Sequence, residues 1–125
     1  MLIKSKTPHK ANIIAIINLW CTQNNTIINA SYTNYKTILC NSTGALGIKG
    51  SRRSTYYAGQ SISNISGKAL KLLGVKYIYV KIKGFGKGRY SGIKGLLNTN
   101  LKFLSILDVT PTPFNGCKTS KKRRA

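Results

Sequence analysis

Three glycines at every second position, Gly84, Gly86 and Gly88, alternate with Lys83, Phe85, Lys87 and Arg89 in the stretch KGFGKGRY. A strand-like run, VKYIYVKI (Val75 to Ile82), precedes it directly. Glycine-rich turns between a strand and a helix hold phosphate in nucleotide-binding folds, so a cofactor loop is the first chemistry to weigh. The dinucleotide fingerprint G-x-G-x-x-G requires a third glycine. Counting from Gly84 and Gly86 that place holds Arg89, and counting from Gly86 and Gly88 it holds Ser91. The fingerprint fails in both registers, and no G-x-x-x-x-G-K-[ST] loop occurs either. Asp108 stands where a ribose-binding carboxylate would, but it is the only acidic residue in the chain, so its spacing carries little weight. No nucleotide cofactor is expected.

The same residues suit the phosphates of a polymer. Glycines let backbone approach an anion closely, the free N–H groups of a following helix favour negative charge, and Arg89 offers a bidentate fork. The competing reading is an ordinary strand-to-helix turn with solvated lysines.

Catalytic and metal chemistry lack the groups they need. One aspartate cannot hold two metal ions or form a carboxylate pair, and the single histidine, His9, lies in a polar arm far from any partner in sequence. Cys21, Cys40 and Cys117 are irregularly spaced with no C-x-x-C pair, which reads as reduced thiols and not as a zinc site. The chain is expected to be neither an enzyme nor a metalloprotein.

Charge then decides the class of partner. Among 125 residues there are 21 Lys and Arg against one Asp or Glu, a formal net charge of +20, while 42% of the chain is hydrophobic. That is enough apolar material for one small domain with a core, and too much uncompensated charge for comfort without a polyanion. Nucleic acid fits best and an anionic membrane surface second. The longest apolar run, Ile13 to Trp20, is interrupted by Asn18 and falls far short of the roughly 18 residues a spanning helix requires. No import signal is evident, so the expectation is either that the protein works where it is made or that its targeting is not visible in the sequence.

The elements that must position these residues follow from periodicity. A basic arm, residues 1–10, leads into strands at Ile13 to Leu19, Thr26 to Tyr32 and Thr37 to Asn41, an antiparallel meander. The loop STGALGIKGSRRST ends where Ser54 or Thr55 can cap a helix reaching about Leu73, with Ala58, Ile62, Ile65, Ala69 and Leu72 as its apolar stripe and Gly74 as its C-terminal cap. A strand from Val75 to Ile82, a helix from about Tyr90 to Asn98 and a strand from Phe103 to Leu107 complete the order βββαβαβ. This is a single α/β domain, residues 11–108, with a mixed sheet whose later strands run parallel. Residues 109–125 form an extended basic tail, because Pro111 and Pro113 keep it from becoming a helix.

Cations gather in three places: Lys49, Arg52 and Arg53; Lys83, Lys87 and Arg89 with Lys94; and Lys118, Lys121, Lys122, Arg123 and Arg124. Loops leaving the carboxyl ends of strands in an open α/β sheet share one edge, so the glycine loop and its cations are expected at such an edge.

With those residues in view, NNTII (Asn24 to Ile28), GIKGSRRST (Gly47 to Thr55), KGFGKGR (Lys83 to Arg89) and DVTPTPFNGCKTSKKRR (Asp108 to Arg124) resemble the successive signatures of the universal S-eleven family of small-subunit ribosomal proteins. The resemblance covers about residues 12 to 124, and its C-terminal motif is the most specific part. It implies a ribonuclease-H-like fold and a place on the platform of the small ribosomal subunit. There the family binds the central domain of small-subunit rRNA near the exit-site tRNA and the mRNA path, beside platform proteins such as seven and eighteen. Carried onto this chain, the rRNA contacts fall on Asn24 and Asn25, on Lys49 to Arg53 with Arg52 between, on Lys87 and Arg89, and on Asn115 to Arg124. Bacterial members usually carry prolines where Phe85 and Lys87 stand, an acid at Tyr90, a histidine at Phe114 and an arginine at Lys118.

The alternative is a sequence-indifferent cationic binder that packages nucleic acid or coats single strands. Such a protein predicts an exposed aromatic platform, and Tyr77 and Tyr79 in one strand, with Tyr56 and Tyr57 at a helix start, leave that signal ambiguous. Enrichment in Lys, Asn, Ile and Tyr, with almost no acid, suits an AT-rich organellar genome, which favours the mitochondrial matrix over a plastid or a bacterial cytoplasm.

Overall fold

The computed structural model describes residues 13–124; the basic arm, residues 1–10 with His9, lies outside them. Alternation of apolar and polar residues produces strands β1 (Ile13–Cys21), β2 (Thr26–Tyr32) and β3 (Thr37–Ser42). They are followed by helix α1 (Tyr56–Leu72), strand β4 (Val75–Lys83), helix α2 (Gly88–Leu97) and strand β5 (Lys102–Asp108). The five strands form one sheet in the order β3-β2-β1-β4-β5. β1 pairs antiparallel with β2 and β2 with β3, whereas β1 to β4 and β4 to β5 are parallel. The mixed sheet and the order βββαβαβ agree with the sequence expectation.

Both crossovers move the chain in the same direction across the sheet, so right-handed connections put α1 and α2 on one face. Against that face lie Ala15, Ile17, Leu19 and Cys21 of β1, Ile28 and Ala30 of β2, and Ile78, Val80 and Ile82 of β4. Ile62 and Leu70 of α1 and Leu96 of α2 close the core. Each of these large side chains contributes about 1.5–3 kcal/mol by leaving water.

The stripe expected on α1 is rotated. Ala58, Gly59, Ile62, Ser63, Ser66, Gly67 and Leu70 are buried, while Ile65 and Leu72 are exposed and Ala69 is half-buried. Small residues cause the shift, because α1 and α2 approach too closely for anything larger. A Cβ on Gly59 would stand 2.9 Å from the Cα of Gly88, and one on Gly95 would stand 2.5 Å from the Gln60 carbonyl oxygen. Hydropathy tracks greasiness, and this interface selects for size.

Of the two candidate caps, Thr55 serves: its Oγ1 accepts from the Ala58 N–H at 3.3 Å. Gly74 ends the helix with φ +88° and donates to the Lys71 carbonyl. Helix α2 begins two residues before the expected Tyr90, and the loop before α1 contains two short 3-10 turns, Gly44–Leu46 and Gly50–Ser54, that periodicity does not reveal.

Candidate nucleic-acid interface

Strands β1, β3, β4 and β5 all point the same way, so their carboxyl ends share one edge of the sheet. To that edge belong the turn after Cys21, the loop after Ser42, the glycine loop after Lys83 and the tail after Asp108. The N-termini of both helices open there too, and the contact of Gly59 with Gly88 puts their first turns side by side. About eight N–H groups at two adjacent helix starts give the edge a positive field beyond its side chains.

The β1–β2 turn is built by its own polar residues. Thr22 N–H donates to the Asn25 carbonyl at 2.9 Å, Asn25 N–H to Thr22 Oγ1 at 2.9 Å, and Thr26 N–H to Asn25 Oδ1 at 2.9 Å. The Thr43 hydroxyl also donates to Asn25 Oδ1, tying the turn to the loop after β3. Asn25 therefore spends its carbonyl group inside the fold, whereas Asn24 is exposed.

Glycines in the next loop serve a different close approach from the one the sequence suggests. A Cβ on Gly84 would fall 2.1 Å from the Cys21 carbonyl oxygen, one on Gly86 2.1 Å from that of Thr22, and one on Gly88 2.0 Å from Thr26 Oγ1. The loop is seated on the β1–β2 turn, and Gly86 N–H donates to the Cys21 carbonyl at 3.1 Å. Gly84 and Gly86 make room for the protein's own backbone, and Gly88 for the Thr26 side chain. Seating the loop leaves Phe85, Lys87 and Tyr90 facing outward, with Phe85 81% and Tyr90 70% exposed.

Arg89 is held from two sides. One terminal nitrogen donates to Asp108 Oδ2 at 2.7 Å and the other to the Gly84 carbonyl at 3.1 Å, while the guanidinium lies 5.6 Å from the Phe85 ring centre. Thr110 closes the circuit: its hydroxyl donates to Asp108 Oδ1 at 2.6 Å and accepts from Gly84 N–H at 3.1 Å. These bonds, the one from Arg89 foremost, hold the Asp108 carboxyl well below the usual carboxylate range. The pair joins the glycine loop to the root of the tail, so Arg89 presents only part of its fork outward.

The remaining cations fall as follows. Lys49, Arg52 and Thr55 line a hollow of about 590 Å³ with Gly47, Ile48 and Tyr57. Arg53 is half-buried, and its aliphatic stem and one guanidinium nitrogen lie beside Gly44. Lys87 and Arg89 line a second hollow, about 350 Å³, with Tyr56, Phe85, Tyr90 and Ile93. Lys94 sits six residues into α2, roughly 9 Å down the helix and away from the edge. Asn115, Lys118, Lys121, Lys122, Arg123 and Arg124 are exposed in a tail without helix or strand, where Asn115 adopts φ 62°.

Of the aromatic members of this edge, sequence reasoning weighed Tyr56 as a stacking candidate and missed Phe85 and Tyr90. Phe85, Tyr56 and Tyr90 lie in separate elements, and only the fold brings them to one hollow. Cys21 is buried behind the edge, its thiol pushed up to about 11 by burial and partly offset by the nearby Arg89 charge; Cys40 and Cys117 are exposed. No three His, Cys, Asp or Glu side chains lie together among the described residues.

Comparison with known proteins adds descent to this geometry. The profile of the family described as ribosomal protein S11 matches residues 15–124. Small ribosomal subunit protein uS11m of Marchantia polymorpha is 46% identical over 103 residues, 82% of each chain. The uS11 proteins of Ruthia magnifica subsp. Calyptogena magnifica and Aquifex aeolicus are 41% and 38% identical, over 95% and 98% of this chain and 94% and 99% of theirs.

Proposed function

The chain belongs to the ribosomal protein S11 family, and from that premise we propose that it is a structural constituent of the small ribosomal subunit that grips rRNA along the carboxyl edge of its sheet. One observation carries the reading: the 49–53 loop, the glycine loop and the root of the basic tail converge beside two helix N-termini, where the only acidic side chain is already paired with Arg89. An edge of that kind has no acidic side chain left to neutralise it. A folded RNA presents phosphates at many points of one surface, and three separate cationic segments can meet them together.

The contacts fall to Asn24, Lys49, Arg52, Arg53, Lys87 and the tail from Asn115 to Arg124, with Arg89 as the residue that sets the loop and tail. Asn25 contributes by shaping the turn that displays Asn24. The site is the central domain of the rRNA on the platform, beside neighbours such as proteins seven and eighteen. The role is structural and not catalytic. Likeness to the mitochondrial uS11m protein and the Lys-, Asn- and Ile-rich composition favour a mitochondrial ribosome.

A triple variant, Lys49→Ala, Arg52→Ala and Lys87→Ala, tests the edge against a double variant of exposed α1 residues, Lys68→Ala and Lys71→Ala. Each lost phosphate contact weakens binding to the central-domain rRNA fragment by roughly threefold to tenfold. Equal losses in the triple and the double variant would refute the edge as the contact.

A further inference from the structure

Both helices cover one face of the sheet, and among the described residues no layer covers the other. Register places the residues of that open face. Asn29 of β2 lies opposite Asn18 of β1, and Asn18 beside Lys81 of β4. In the adjoining row Ile27 lies opposite Trp20, and Trp20 beside Lys83. These residues, with Cys40 and Val109, line a hollow of about 340 Å³. The Lys83 ammonium sits 5.1 Å from the Trp20 ring centre, and Trp20 remains 46% exposed. Asn29 Oδ1 is shielded from solvent and has no hydrogen-bond partner among the described residues.

We propose that this hollow takes one unstacked nucleobase of an RNA strand, a contact on the open face beside the carboxyl edge, distinct from the loop and tail contacts and resting on the rRNA-binding reading above. An aromatic ring beside a pair of side-chain amides supplies what a splayed base requires, a surface to stack on and donors and acceptors for its polar edge. Lys81 and Lys83 flank the amides and neutralise the adjoining phosphates. The charge excludes a basic partner, since the described part of this face carries cations and no carboxylate. An added β-strand is excluded as well, because the residues lie on the face of the sheet and not on its edge. A base of any kind can stack on Trp20, while the amides discriminate among bases by their polar edges.

Trp20 is the only tryptophan in the chain, so emission excited at wavelengths that the seven tyrosines do not absorb comes from this residue. The full chain is titrated with the central-domain fragment of small-subunit rRNA, and binding is followed in parallel by the anisotropy of end-labelled fragment. Trp20 emission should fall in step with binding and Trp20 should be shielded from acrylamide in the complex, with no fall in emission on adding inorganic polyphosphate. Trp20→Ala weakens fragment binding by about fivefold to a hundredfold while Trp20→Phe restores most of it, the range set by stacking one base. Fragment binding with unchanged emission and unchanged acrylamide access overturns the base site and leaves the edge contact standing. Absence of fragment binding overturns both.

Discussion

Arg89 and Asp108, 19 residues apart, meet at 2.7 Å and join the start of α2 to the end of β5. Through Thr110 and Gly84 the same pair fixes the direction in which the basic tail leaves the sheet. The single acidic residue of a very basic chain thus anchors the segment that carries the densest run of cations.

Stability should register this pair through pH. The Asp108 carboxyl titrates below its ordinary 3.8 in the folded protein, so its contribution is present above that value and is lost as pH falls beneath it. The Tm of Asp108→Asn should lie below that of the native chain by a constant amount from neutral pH to about 5, and the gap should close below about 4. Side chains 32% and 48% exposed also make the gap shrink in high salt. A gap indifferent to pH would contradict the assignment.

Replacing Gly86 by Ala should be costly, because the added carbon would stand 2.1 Å from the Thr22 carbonyl oxygen and backbone must move to admit it. We expect a loss of about 3 kcal/mol in urea unfolding, at the upper end for overpacking. Gly44→Ala is the matched control, since its neighbour at 3.5 Å is the flexible Arg53 side chain. Equal midpoints for the two variants would show that the glycine loop is not seated as described.

Thiol labelling should split the cysteines. Cys40 and Cys117 are exposed and should react with a maleimide at neutral pH, whereas Cys21, buried and with its thiol raised to about 11, should react only on unfolding. Cys117 lies among the tail cations, so rRNA should slow its labelling while leaving that of a denatured control unchanged. Rapid labelling of Cys21 in the folded protein would contradict its burial.

Strands are legible in the sequence because alternation has one physical cause, a sheet wet on one side and dry on the other. The parallel pairs follow from helices placed between strands. What escapes is set by tertiary approach. Ile65 and Leu72 look like core residues, yet the α1 face that packs is the one bearing Gly59, Ser63 and Gly67. Gly84, Gly86 and Gly88 are as suited to a phosphate as to a neighbouring turn, and only the fold shows that the Cys21 and Thr22 carbonyls and the Thr26 side chain fill the space. Arg89 looks like a free fork in one dimension because its partner stands 19 residues away. Tyr56 stands 29 residues before Phe85 in the chain, so nothing in the sequence pairs it with Phe85 and Tyr90 in one hollow.

A shaped cationic edge should hold one particular folded RNA, where a plain polycation would hold any. Binding to the central-domain fragment of small-subunit rRNA across a salt series separates the two, with length-matched scrambled RNA and duplex DNA as competitors. If about eight phosphates are met, the log–log slope should lie near −6 to −7. Preference for the central-domain fragment should persist at high salt, after the competitors have been lost. Equal affinities that collapse together as salt rises would contradict the shaped edge and leave a cationic binder indifferent to sequence.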